Sequence, residues 1–276
     1  MEGKFRGFEV STSDGVALVL MNEPDRLNGT TQPMKRDMTE VFTQLQMDDD
    51  VRVVVITGSG RAFCAGDDMS GRRRDWGDAQ RLVPSLPPGH RDPIGTYEGL
   101  RTMSQSLNLS LRALDKPTIA AVNGLAIQTG LSLALCCDFR IASSDARLGS
   151  ATLRFGLLPD EGGHYLVVQL IGLAKAMDFF MRKRILTAGE ALELGLVHEV
   201  VEPEALMARS LELAAELAAG PQVAMRMLKR ALYNAAELSA AHAFDDIAAR
   251  TAVTDHHPDV AEGVAAFRER RPPRFS

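Results

Sequence analysis

Two short stretches of this sequence carry residues whose types and spacing suit stabilisation of a developing negative charge. The first is Phe63-Cys64-Ala65-Gly66-Asp67-Asp68 and the second is Asn123-Gly124-Leu125-Ala126-Ile127-Gln128-Thr129-Gly130. Each follows a β-rich run: Val53-Val54-Val55-Ile56 leads through Thr57-Gly58-Ser59-Gly60, and Thr118-Ile119-Ala120-Ala121-Val122 precedes the second stretch. The β-branched content and flanking turn residues read as buried strands. Together the two stretches suggest two backbone N–H groups aimed at one carbonyl oxygen. Residues 131–137, Leu-Ser-Leu-Ala-Leu-Cys-Cys, read as a short apolar helix, which puts Thr129 and Gly130 at its N-terminus. Free N–H groups and the positive end of the helix dipole gather there.

A third stretch, Phe155-Gly156-Leu157-Leu158-Pro159-Asp160-Glu161-Gly162-Gly163-His164, supplies carboxylates. An apolar wall of Phe155, Leu157 and Leu158 would raise the Asp160 pKa by desolvation, toward the range useful for moving protons. The same residues also read as a turn in which Asp160 caps a helix continuing through 165–168. Glu161 is a second candidate, because the glycines beside it permit several chain directions. His164 in a helical segment reads as a structural group.

The elements that must position these residues belong to an α/β chain. Strand-like runs (8–10, 16–21, 51–57, 118–122, 139–142) alternate with helical patterns at 33–46 and 97–114, which argues for parallel strands. Residues 70–96 lose periodicity and collect Gly, Pro and Arg, as expected of a long surface loop of the kind that often serves as a lid. Beyond about Thr187 the pattern is helical (188–194, 204–219, 222–238, 240–253), with no strand-like run. The 276 residues are 45% hydrophobic, ample for a globular core. A net charge of −5 and a pI near 5.7 give no general pull toward nucleic acid or anionic membranes. No run is long enough to cross a bilayer and no secretory segment opens the chain, so a cytoplasmic protein is expected. The three cysteines, two of them adjacent, read as small buried hydrophobes rather than a disulfide or zinc set.

The order, spacing and flanks of these motifs resemble the enoyl-CoA hydratase/isomerase, or crotonase, superfamily. The likeness runs from Asn22-Glu23-Pro24-Asp25-Arg26-Leu27-Asn28 through Cys137-Asp138-Phe139-Arg140-Ile141-Ala142 to Glu262-Gly263-Val264-Ala265-Ala266-Phe267-Arg268-Glu269-Arg270-Arg271-Pro272. The resemblance implies a crotonase-like (ClpP/crotonase) α/β spiral of ββα units. Residues 1–200 would form the core with an acyl-CoA site, and 201–276 a helical region for trimerisation, commonly giving a hexamer of two trimers. By motif position, Ala65 and Thr129 match the family's two oxyanion donors. Gln128 and Thr129 stand where glycines are usual, so a β-branched residue must take a conformation that glycine takes easily. The two hydratase glutamates are replaced by Ser132 and Thr152, and neither hydroxyl titrates near neutrality, which argues against simple water addition.

Asp160 matches the acid of a Pro-Asp-x-Gly-Gly pattern that resembles the phenylacetate-pathway ring-expanding isomerase branch. In that reading Asp160 takes a proton from the acyl chain and returns it at another carbon, while the two donors hold the dienolate. The same position also looks like the nucleophilic aspartate of the family's chlorobenzoyl-CoA dehalogenases, which keeps hydrolysis or dehalogenation open, and a catalytically silent acyl-CoA binder is a third reading. Coenzyme A enters only as part of the substrate thioester. Along it the resemblance sets Arg26, Cys64, Gly66, Asp67, Asp68, Met69, Gly130, Ser132, Thr152 and, from the tail, Arg270 toward a neighbouring subunit's ligand. Arg72-Arg73-Arg74 reads as a solvated loop or a phosphate contact, and Trp76 either sits over the acyl pocket or pins the loop. No metal-ligand cluster or dinucleotide fingerprint is present in the sequence, so no resident cofactor is expected.

Overall fold

A computed structural model describes residues 1–70, 74–86 and 92–276. The strands are β1 (Gly3–Phe5), β2 (Phe8–Ser13), β3 (Val16–Met21), β4 (Val53–Gly58), β5 (Ala62–Cys64), β6 (Thr118–Val122), β7 (Leu125–Ile127), β8 (Phe139–Ser143), β9 (Arg147–Gly149), β10 (Ile185–Thr187) and β11 (Glu199–Val201). They form two sheets, a seven-stranded one in the order β1-β2-β3-β4-β6-β8-β11 and a four-stranded one in the order β10-β9-β7-β5. The first three strands of the large sheet are an antiparallel meander; from β3 onward its pairs are parallel. Three successive turns of chain each lay one strand in the large sheet and the next in the small one: β4 then β5, β6 then β7, β8 then β9. This is the repeated ββα spiral the resemblance implied.

β4 and β6 are buried along their whole length, which is why they read as unbroken apolar runs rather than alternating ones. Helix α1 (Gln32–Met47) starts at Thr31, whose side chain accepts from the Met34 N–H, with Pro33 in the first turn. Two helical segments, α2 (Pro93–Gly99) and α3 (Ser106–Ala113), are joined by a wider π-type stretch over Leu100–Gln105. The helical pattern expected at 97–114 therefore begins four residues earlier, because Asp92 caps the Gly95 N–H and Pro93 suits a first helical turn. Helix α4 (Thr129–Cys136) follows β7 and is buried throughout. Then come α5 (Gly163–Met181), bent at Gly172, and α6 (Ala188–Leu194). The C-terminal helices are α7 (Leu206–Ala218), α8 (Gln222–Ala235), α9 (Ala240–Thr254) and α10 (Pro258–Glu269).

The expectation of no strand beyond Thr187 is corrected by β11, which adds to the edge of the large sheet parallel to β8. Three half-buried residues are too few to show a periodicity, and only the neighbouring strand reveals them. Leu206, Ala214 and Ala218 of α7 cover Val53, Val55, Ile119, Ala121 and Ile141, the second face of the large sheet. Cys64, Cys136 and Cys137 are free and buried, and burial pushes the Cys64 and Cys136 thiols up to about 12. Among the described residues no helix is long and apolar enough to cross a membrane.

Candidate active site

The two stretches singled out by sequence lie against each other. β5 pairs with β7 in parallel, Cys64 opposite Ala126. The contact is so close that a Cβ on Gly130 would stand 1.9 Å from the Cys64 carbonyl oxygen, so only glycine fits. Gly66 turns the chain with φ of 103°, in the left-handed region open to glycine. Ser132 lies one helical turn into α4, buried beneath the start of α5, where a Cβ on Gly163 would meet its hydroxyl at 2.6 Å. Thr152 is half-buried, with its hydroxyl 3.2 Å from that of Ser150.

The donor assigned to Ala65 needs correction. Its N–H is engaged by the Leu27 carbonyl at 3.0 Å, so it cannot also serve a ligand. Two residues on, Asp67 pairs with Thr30 in a parallel bridge: Thr30 N–H donates to the Gly66 carbonyl and Asp68 N–H to the Thr30 carbonyl, each at 2.9 Å. In a parallel bridge the flanking groups make the bonds, and the central residue's own N–H faces the other way. The Asp67 N–H has no backbone acceptor among the described residues. Thr129 is the first residue of α4, and the first-turn bond there runs from the Ser132 N–H to the Gln128 carbonyl. Its own N–H therefore has no acceptor within the helix.

The strain expected at Thr129 falls one residue earlier. Gln128 takes φ 51° and ψ −104°, a conformation costing roughly 1–3 kcal/mol for a non-glycine residue. It is held there by its N–H on the Gly149 carbonyl and by the Ser150 hydroxyl on its side-chain oxygen. Gln128→Gly is expected to raise stability by about 0.5–1 kcal/mol, read as a higher midpoint in urea. An unchanged or lower midpoint would mean that the lost side-chain bond outweighs the relieved strain.

Around Thr129 the structure gathers groups that sequence reasoning did not connect. The buried Lys35 ammonium donates to Asp67 Oδ2 at 2.9 Å, Ser104 Oγ at 2.7 Å and Glu161 Oε1 at 2.8 Å. The Thr129 hydroxyl lies 2.8 Å from Glu161 Oε1 and 2.9 Å from Asp67 Oδ1, which also accepts from the Thr30 hydroxyl. Glu161 is buried and its Oε2 has no partner among the described residues. Burial pushes its pKa up despite the ammonium, whereas Lys35, desolvated but facing Glu161 and Asp67, is held above its ordinary value and stays charged. The signal was available in the sequence: Lys35 heads the stripe Met38, Phe42, Leu45 on α1, so a lysine there must be buried and must find acceptors.

Asp160 does not cap α5. The cap is Gly162, with φ of 97° and no side-chain bond, which removes the capping explanation for this carboxylate. Asp160 is half-buried, and burial raises its pKa, reinforced by Asp67 and opposed by its own N–H and Lys35. The proposed source of desolvation is corrected: Phe155, Leu157 and Leu158 are 67%, 50% and 69% exposed. The loop is held instead from α3 and its approach, by Gln105 on the Asp160 carbonyl and Asn108 on the Glu161 carbonyl. His164 is exposed, with Nδ1 against the Pro159 carbonyl.

Arg26 is not a free cation. It donates to Asp68 Oδ2 at 3.0 Å and to Ser70, while Arg74 reaches the same oxygen at 2.9 Å and the Gly29 carbonyl at 2.7 Å. Arg72 and Arg73 lie outside the described residues. Trp76 pins the loop by donating to Glu23 at 2.9 Å. Burial alone would raise the Asp68 pKa, but bonds from Ser70, Arg74 and Arg26 hold it far below the usual carboxylate range. A depressed folded pKa contributes stability above the unfolded value, near 4, that is lost as pH falls through the folded one. Asp68→Asn is thus expected to cost about 1–3 kcal/mol at pH 7. The gap should persist at pH 5 and narrow only in stronger acid, as urea titrations at pH 7, at pH 5 and in stronger acid would show. Met69 and Arg270 are exposed, Arg270 at the end of α10.

With this geometry in view, the enoyl-CoA hydratase/isomerase family profile matches residues 11–85 and 89–276. The chain belongs to the enoyl-CoA hydratase/isomerase family. It is 33% identical over 268 residues to the 1,2-epoxyphenylacetyl-CoA isomerase of Escherichia coli (strain K12), covering 95% of each chain. It is 32% identical over 267 residues to the (E)-benzylidenesuccinyl-CoA hydratase of Thauera aromatica, covering 96% of this chain and 97% of that one. The crystal structure of an enoyl-CoA hydratase from Bacillus anthracis superposes with a TM-score of 0.87 at 27% identity, over 98% of this chain and 99% of the other. Members of this family act on CoA thioesters.

Proposed function

We propose that this family member is an acyl-CoA isomerase in which Asp160 moves a proton along the acyl chain while the Asp67 and Thr129 N–H groups hold the thioester oxygen. The observation that carries this reading is Asp160 itself, a half-buried carboxylate whose pKa is raised by burial, beside Asp67 and Lys35, in a chain where Ser132 and Thr152 stand in place of a glutamate pair. Asp160 removes a proton from C2 of a 3-enoyl thioester: the C–H bond breaks, an O–H bond forms on the carboxylate, and the electron pair spreads into a dienolate. The thioester oxygen takes the charge, and each amide donor contributes about 3–4 kcal/mol to stabilising it. Asp160 then delivers the same proton to C4, leaving the 2-enoyl product with no net loss or gain of atoms. A raised pKa suits a group that must accept and return a proton near neutrality.

The test is incubation with 3-enoyl-CoA thioesters, following the product by chromatography and mass. A 2-enoyl product of unchanged mass supports the reading. A product heavier by one water, or release of free CoA, overturns it in favour of hydration or hydrolysis.

The apolar faces left uncovered support self-association in the C-terminal half. Leu173, Met177 and Met181 of α5, Leu228 and Leu232 of α8, Phe244 of α9 and Phe267 of α10 are all exposed. A homotrimer, or a hexamer of two, would cover them, and α8 to α10 form the trimerisation region of this proposal. Arg270 would then lie within reach of a neighbour's ligand.

A further inference from the structure

We propose that Lys35 is a positioning residue for this site, its one ammonium locking the Asp67 turn and the Asp160–Glu161 loop in a fixed relation so that the amide donors and the carboxylate address one thioester. The inference rests on the isomerase reading above. An ammonium has three protons, and the three acceptors of Lys35 come from three separate parts of the chain: the turn after β5, the π-type stretch before α3 and the loop before α5. Lys35 is 1% exposed and rises from α1, the helix that begins two residues after the Thr30 bridge to Asp67. The turn and the loop are thus referred to a single rigid element. Thr129, first residue of α4, joins the same cluster through its hydroxyl, so the second amide donor shares the reference point.

A stabilising role alone does not account for this arrangement. Buried ion pairs are often matched or surpassed in stability by apolar residues of similar volume, and here Glu161 keeps one buried oxygen without a partner among the described residues. What apolar residues could not reproduce is the directional hold of hydrogen bonds on two loops and on the π-type stretch between them in the chain. The titratable groups facing the ammonium are Asp67, Asp160 and Glu161, together with the Cys64 thiol, which burial keeps neutral.

The experiment compares wild type, Lys35→Met, and the double variant Lys35→Met/Glu161→Gln, which removes both buried charges and so keeps the test valid if the single variant fails to fold. Isomerisation kcat is expected to fall about 10²-fold, the loss typical of misplacement by an ångström. The Kd for acetyl-CoA should move by less than about threefold, about 0.65 kcal/mol. The acid limb of kcat/KM should move to higher pH, because Asp160 loses a neighbouring cation, and Asp67→Asn should move it to lower pH by removing an anion. A folded double variant with wild-type kcat and an unmoved limb overturns the proposal, as does a loss confined to Kd. Asp160→Asn run alongside separates the failures. If that variant turns over normally, the isomerase reading is wrong; if it is dead while the Lys35 variants are unaffected, only the role of Lys35 is.

Discussion

Asp160→Asn is expected to slow isomerisation, and exchange of the acyl-CoA C2 proton for deuterium, by about 10²–10⁴-fold, the usual contribution of a positioned acid–base group. Asparagine keeps the size and the backbone turn while removing the ability to take a proton. Gln105 and Asn108 hold the loop through main-chain carbonyls of Asp160 and Glu161, so the loop should stay in place. Stability should move the other way. The folded pKa of Asp160 is raised by burial and by Asp67, so the folded chain holds its proton more tightly than the unfolded one. Stability then falls as pH rises from the unfolded pKa through the folded one, and at pH 7 the wild type bears the full penalty. The variant should therefore show a slightly higher Tm at pH 7 together with its lost activity, and the two proteins should converge in acid. Deuterium incorporation by mass spectrometry and a pair of melting curves suffice. Normal exchange in a folded variant would remove Asp160 from the mechanism, and a lower Tm at pH 7 would mean that its carboxylate is stabilised in the fold.

The second large effect concerns Gly130→Ala. The added methyl would stand 1.9 Å from the Cys64 carbonyl oxygen and 2.8 Å from its carbon, both backbone atoms of the neighbouring strand. No rotamer change relieves such a clash, so the start of α4 must move away from the turn after β5. A loss of about 3 kcal/mol or more is expected, beyond ordinary overpacking because the obstacle is main chain. Activity should fall about 10²-fold even where the variant is fully folded, since the displacement separates the Thr129 and Asp67 amides. Gly189→Ala, whose Cβ meets nothing within 4 Å in α6, is the control and should be neutral or slightly stabilising. Urea midpoints and exchange rates for the pair decide the matter. A Gly130→Ala enzyme of normal stability and rate would show that the two segments need not touch.

Both experiments probe features that were partly readable in the residues. The largely apolar runs of β4, β6 and α4 announced themselves because strands and helices buried on every side carry few polar residues. The nearness of the two turn segments followed from the family likeness rather than from periodicity. Asp160 stood out as a carboxylate between proline and glycine, but its environment was misjudged: Phe155, Leu157 and Leu158 point outward in the single chain, and the loop is held through its backbone from α3 and the stretch before it. The Lys35 cluster went unread although a lysine at the head of an apolar helix stripe was visible.

The sequence by itself determined the α/β class and most of the strand and helix runs, because local periodicity and turn chemistry act over a few residues and need no partner, whereas the spiral of strand pairs and the meeting of the turn segments were legible only through the family likeness. Tertiary structure alone decided which amides are free. Leu27 takes the Ala65 N–H while the Thr30 bridge turns that of Asp67 outward, and both partners lie more than thirty residues away along the chain. It also decided that Lys35, Asp67, Thr129 and Glu161 form one network. A hydrogen bond has a direction and a single proton to give, so which donor remains available depends on which acceptor the folded backbone brings near it.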